Sequence, residues 1–332
     1  MNMTTLLKTA LACVIVTASL TYAAEPERQK WGGTPAEPPA YPAPQATPID
    51  AALVDAARSE LIKDESAQDG FMRSHVIEAW KQIGGDQAVV SAMRGLSDPS
   101  PVVRFASCLA LGEVKSRQAM TQVYKMLADK DRNVQVAVRY ALHRMGDTRH
   151  SHDLEKFAMD WNAGVRGNTV MVLGLLGEPS ALKILKHMTG DKSPAVVVQV
   201  AEARWRLGDL DGLADLISGS ISPHPDEQIT SYLAMAGPRD QRVIEHVRGG
   251  LTNHYAEVRL AAARAVGMLG SDEGYGIAME GVKSADPRQR SLAALAFGAI
   301  GRADAQPYLA ELLKDKDDEV RLAAATAVLQ LH

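Results

Sequence analysis

Cysteine is nearly absent from these 332 residues: there are two, and aromatic side chains make up only 5%. Cys13 falls inside an apparent export leader, so a processed chain would keep Cys108 alone and no intramolecular disulfide could staple it. No long basic run occurs. The formal charge is −4, or −5 once the one charged leader residue, Lys8, is gone. A mildly acidic chain matches phosphate backbones poorly, so nucleic acid is not an expected partner. CxxCH, GxSxG and Walker-type loops are also missing, and no cofactor is expected. Alternation of the strand type never runs to a useful length, which leaves helix as the only regular structure.

What is present starts with the leader. One lysine precedes an apolar run from Ala10 to Leu20, followed by Thr21-Tyr22-Ala23 and Ala24. A basic start, an apolar core too short to cross a bilayer and small residues before a cut are the pattern of a secretory signal, here assigned to 1–23 with cleavage after Ala23. The expected location is therefore the periplasm or the exterior, with no membrane span. Cys13 sits within the apolar run without a clean lipobox before it, and is read as a small apolar residue of a discarded peptide rather than a lipid anchor. Residues 24–49 hold seven prolines and almost no aliphatic side chains. Such a stretch buries too little to fold and is biased to extended polyproline II, so it reads as a tether.

From residue 50 to 332 the chain is periodic. EVRLAAA occurs at 257–263 and again at 319–325, and a spacing of 31 aligns everything between about position 54 and the C-terminus. Stepping from Ala79 gives Ala110, Ala141, Val172, Ala203, Ala234, Ala265, Ala296 and Ala327. Small side chains in this column let a neighbouring helix approach closely. Glycine recurs at 84, 146, 177, 208, 270 and 301, and aspartate at 98, 129, 160, 191 and 315. Aspartate enters helices and glycine leaves them, so each unit holds two helices and two breaks. Within a unit, Val258, Ala261, Ala262, Ala265, Val266 and Leu269 follow steps of three and four. The fold class is all-α: an α-solenoid, or superhelix, of about nine two-helix repeats, each burying its apolar face on the next. Stacked as an open array, nine such layers make a curved rod on the order of 90 Å long.

The string D-x-x-x-x-V-R-x-x-A-x-x-A, as in Asp98 to Ala110 and Asp315 to Ala327, resembles HEAT repeats, particularly the short variety called phycobilisome-lyase HEAT-like, over about 85% of the chain. That resemblance implies a structural ladder between the arginine column (Arg73, Arg104, Arg166, Arg259, Arg290, Arg321) and the aspartates, with Gln135, Val197 and Gln228 interrupting it. The first unit departs from the pattern with the polar stretch KDESAQDG, and the sixth with Pro223 and Pro225. A cap is expected at the first and a bend at the sixth.

The resemblance also places the V-R helix on the concave side. The columns facing the groove in the third to fifth units then supply Tyr140 and Arg144, Met171 and Leu175, and Glu202 and Arg206. Tyrosine, methionine and arginine are types enriched in binding hot spots, so these six are the candidate partner-binding residues. The expected function is an exported, non-catalytic scaffold that binds a protein or peptide along its concave surface. The alternative is an enzyme or enzyme accessory, lyase-like or metal-dependent, using the same groove. Against it, HEAT-like hydroxylases bind iron through His-Glu pairs, and none of the nine histidines here precedes a glutamate. The only histidine cluster, RHSHD at 149–153, reads as a solvated turn rather than a metal site. Cys108 reads as a buried small hydrophobe.

Overall fold

The computed structural model describes residues 48–332; the signal segment, Cys13 and the tether up to residue 47 lie outside the described residues. Among the described residues there are eighteen α-helices and no strand. The inner helix of each pair is long: α2 (Gly70–Ile83), α4 (Pro101–Glu113), α6 (Arg132–Arg144), α8 (Ala163–Leu176), α10 (Pro194–Arg206), α12 (Pro225–Ala236), α14 (Ala256–Met268), α16 (Pro287–Ile300) and α18 (Asp318–Leu331). The outer helices are α1 (Ala51–Asp64), α3 (Gly85–Gly95), α5 (Met120–Lys125), α7 (Leu154–Ala158), α9 (Leu182–His187), α11 (Leu210–Gly219), α13 (Ile244–Gly249), α15 (Tyr275–Gly281) and α17 (Gln306–Leu312).

Local chemistry sets these boundaries. Asp69, Asp131, Asn162, Asp286 and Asp317 each accept a hydrogen bond from a first-turn N–H of an inner helix. Helices α4, α10, α12 and α16 open on a proline, where the missing N–H costs nothing. Helices α8 and α16 end at Gly177 and Gly301, both at φ 75°, the left-handed exit that glycine adopts without strain. Outer helices such as α7, with five residues, are too short to persist alone and depend on their inner neighbours.

Small residues set the curvature. A Cβ added to Gly112 would lie 2.8 Å from the Ala141 Cα, and one added to Gly174 would lie 2.9 Å from the Ala203 Cα. The alanine column is thus the landing strip on which the preceding inner helix comes down almost backbone to backbone. Inner helices pack on inner helices all the way round, while outer helices pack chiefly on inner ones. Crowding at the axis with slack outside bends each unit toward the same centre.

The consequence is closure. Helix α18 packs against both α1 and α2, as though the first repeat followed the ninth. Arg321 Nε donates to Glu60 Oε1 at 2.6 Å, Asp50 N to Gln306 Oε1 at 2.9 Å, and Gln330 Nε2 to Gln82 Oε1 at 2.5 Å. One hydrophobic cluster mixes Val54, Ala57 and Leu61 with Leu309, Val320 and Val328. The open rod expected from the repeat count is therefore wrong: nine units at about 40° each complete a turn, and the solenoid is a ring. The first unit is likewise not a cap, because its outer helix α1 receives the last repeat. At the sixth unit, where a bend is expected, the inner interface between α10 and α12 is the thinnest in the ring. Trp205 bridges it with its indole N–H donating to Met235 O at 3.1 Å.

Ala265, fully buried in the α14 seam, is the cleanest probe of this packing. Ala265→Leu is expected to destabilise by about 1 to 3 kcal/mol through overpacking. The loss of amide-exchange protection should concentrate in α12, α14 and α16; an even loss around the ring would contradict nearest-neighbour stacking.

Candidate functional site

The arginine column is structural. Arg73, Arg104, Arg166 and Arg290 each grip the aspartate 25 residues ahead through Nε and Nη2, at 2.6–2.9 Å. Each also donates to the carbonyl six residues behind it, at 2.8–3.0 Å for Arg104, Arg166 and Arg290. Where the column lacks arginine the rung changes rather than vanishing at two of three places. Arg132, one turn earlier, donates to Asp160 at 2.5 Å, and Asn253 donates to Gln228 Oε1 at 2.7 Å. Arg321 has no repeat ahead of it and takes Glu60 instead, so the ladder runs across the ring closure.

These rungs hold the turns that lead from outer to inner helices. Asp160 accepts from Asn162 N at 2.8 Å, and Arg166 holds the carbonyls of Asp160 and Trp161. The Trp161 turn is therefore anchored from three directions while its side chain is 87% exposed. Met159 beside it is 60% exposed and Ile221, in the same kind of turn two repeats on, is 79% exposed. All three sit on the ring edge formed by outer-to-inner turns.

The six residues picked from sequence lie in two columns of the inner wall, but closure has turned their groove into an interior. Tyr140, Met171 and Glu202 are 1%, 4% and 7% exposed, whereas Arg144, Leu175 and Arg206 are half-buried near the C-terminal ends of their helices. Tyr140 donates its hydroxyl to Glu113 Oε2 at 2.6 Å, and burial pushes its pKa well up. Arg206 donates to Glu202 Oε1 at 2.7 Å, and Lys81 meets Glu78 at 2.5 Å with both side chains buried. On this side of the ring the inner wall is occupied by its own side chains.

Elsewhere the inner wall leaves a hollow. A cavity of about 80 Å³ lies among α2, α12, α14, α16 and α18, where His75 and Leu233 face one space although 158 positions separate them. Apolar side chains dominate the wall, with Leu292 and Leu295 central. Arg264 of α14 lines it, 5% exposed, in the column that supplies Tyr140, Met171 and Glu202 elsewhere. Sequence inspection confined to the third to fifth units missed it. The signal was available: a lone arginine inside the alanine run LAAARAVG.

The RHSHD segment forms a 3-10 turn over Thr148–Asp153, with Arg149 paired to Asp147 at 2.8 Å. Among the described residues no group of three or more His, Cys, Asp or Glu side chains could hold a metal ion, and no helix is long and apolar enough to cross a membrane. Cys108 is buried, and desolvation pushes its thiol pKa far up.

A family model for HEAT repeats matches residues 91–160 and 277–331. Those two stretches are HEAT repeats, set in an all-α repeat solenoid. Human deoxyhypusine hydroxylase in complex with glycerol is similar in structure at 18% identity, over 84% of this chain and 95% of that one, with a TM-score of 0.38. The CpcE–CpcF complex of phycocyanin lyase from Nostoc sp. PCC7120 is similar at 14% identity, over 82% of this chain and 100% of that one, with a TM-score of 0.44. At such identities and scores neither likeness bears on activity. No curated protein matches the sequence.

The HEAT ladder makes a pH prediction. Hydrogen bonding from Arg166 and Arg290 holds the Asp191 and Asp315 carboxyls below their usual range; burial alone would raise Asp98 and Asp129, and their paired arginines outweigh it. A carboxyl whose folded pKa is depressed stabilises fully at neutral pH and loses that contribution as pH falls below about 4. Thermal stability is expected to be flat from neutral pH down to that point and then to drop. Asp191→Asn with Asp315→Asn should cost about 1 kcal/mol or less per rung at pH 7 and make the acid drop shallower. An unchanged acid profile in the double variant would show that the rungs do not carry it.

Proposed function

We propose that this HEAT ring is an exported, non-catalytic scaffold that holds a protein or peptide partner, with its main contact on the rim around Trp161. The observation that carries the reading is the exposure of Trp161 and Met159 in a turn that Arg132 and Arg166 immobilise, with Ile221 exposed on the same edge. Large apolar side chains in water need a reason, and tryptophan on a rigid turn contributes contact area with little ordering cost on binding. The ionisable groups of the inner wall support a non-catalytic role, since Tyr140, Glu202 and Glu78 are engaged by Glu113, Arg206 and Lys81. On this reading Tyr140, Met171 and Glu202 serve packing, and Arg144, Leu175 and Arg206 border the mouth opposite the tryptophan rim. The leader read from the sequence supports export, and the proline-rich tether would give the ring reach from its point of attachment or exit.

Affinity capture from the native host with wild-type protein, followed by binding measurements on the captured partner, tests this. Trp161→Ala with Ile221→Ser is expected to weaken the partner by about 2 kcal/mol or more with the melting temperature nearly unchanged. Tyr140→Ala is expected to lower the melting temperature instead. Partner binding that survives the rim variant and fails only in well-folded variants of Arg144, Leu175 and Arg206 would move the contact to the interior mouth and overturn the rim assignment.

A further inference from the structure

Arg264 is at odds with every other strong guanidinium contact in the ring. Arg73, Arg104, Arg166 and Arg290 each face a carboxylate. Arg264 is more deeply buried than any of them, yet its guanidinium has no hydrogen-bond or ion-pair partner among the described residues. Burial alone pulls its pKa down, to about 10, so at neutral pH it is a cation. An unpaired charge taken out of water is costly, and folding around one without a compensating anion calls for an explanation.

The surroundings supply one. The guanidinium borders the cavity of about 80 Å³, and the Nε2 of His75, also buried and without a partner, borders the same space. Most of the remaining wall is hydrocarbon, chiefly Leu233, Leu292 and Leu295. Small-molecule sites have this composition: an apolar enclosure with a few polar groups that orient the ligand. The nearby Arg288 already has Asp226 at 2.6 Å, and Glu319, which also lines the space, is engaged elsewhere, so the Arg264 guanidinium is the cation left to be matched. Carboxylates suit a guanidinium because both oxygens meet two parallel N–H donors.

We propose that the ring chamber binds a small monocarboxylate with an apolar chain or ring, its carboxylate on Arg264 and its body against Leu233, Leu292 and Leu295. At the room each water-sized volume needs, the cavity takes a ligand on the order of five to eight non-hydrogen atoms. His75 lies where its ring nitrogen can contact the same carboxylate or a water on it. The site is independent of partner binding at the Trp161 rim.

Titration calorimetry of the full mature chain with hexanoate and with cyclopentanecarboxylate tests the proposal, with hexanol and inorganic phosphate as controls. One site per chain is expected for a carboxylate, with hexanol and phosphate weaker by about tenfold or more. Arg264→Met should lose about tenfold or more in carboxylate affinity while melting at or above the wild-type temperature, because it removes an unpaired buried charge. Leu292→Trp fills the cavity with Arg264 intact and should also abolish binding, which decides the matter if Arg264→Met folds poorly. No binding of either carboxylate to the wild type, equal binding of hexanol or phosphate, or unaltered carboxylate affinity in Leu292→Trp would overturn the proposal.

Discussion

Close approach of inner helices is the constraint on which the rest of this molecule depends. Glycine on one inner helix meets alanine on the next, at separations that leave no room for a further carbon. Because that crowding recurs at one register, at Gly112, Gly174 and Gly298, the bend accumulates in one direction and the ninth unit arrives at the first. A repeat array normally ends in exposed apolar faces that need polar caps. Here Val54, Ala57 and Leu61 are buried with the last repeats, and each terminal repeat covers the other.

Closure changes what each column can do. The arginine column, which in an open array would lose a partner at its last rung, ends on Glu60 and so ties the two termini as it ties neighbouring repeats. The same rungs stiffen the turns at one edge and hold Trp161 outward while its backbone is anchored by Arg166. The inner columns, by contrast, are withdrawn from bulk water. Polar side chains there must find partners, and Tyr140, Glu202 and Glu78 do so. Arg264 does not, and the hollow beside it is where the ring departs from pure packing.

Much of the fold was legible in the sequence because a period is a redundant signal. The alanine column, the turn glycines and the aspartates agree on 31 residues, so helix pairing and the ladder could be read from Asp98, Arg104 and their equivalents. Closure was not legible, since it depends on a small rotation per repeat and on contacts 248 to 261 positions apart, such as Gln82 with Gln330 and Glu60 with Arg321. The polar segment around Lys63 to Gly70 looked like a terminal cap because a sequence does not show that another repeat will dock on α1. The candidate site was half legible. Register placed Tyr140, Met171 and Glu202 on the inner wall, but whether that wall is a groove or an interior is decided by the same closure. The exposed side chains, Trp161 and Ile221, sit in turns outside the apolar stripe, and periodicity carries no information about them.

Ring closure can be measured by joining its two ends. Gln82→Cys with Gln330→Cys places one thiol on the first repeat and one on the ninth, in helices whose side chains meet directly, while Cys108 is buried elsewhere. A short bismaleimide added to dilute protein should link the two within one chain in high yield under native conditions and lose that link in denaturant. Native protein that stays unlinked, or that links only between chains, would contradict the ring and restore an open solenoid.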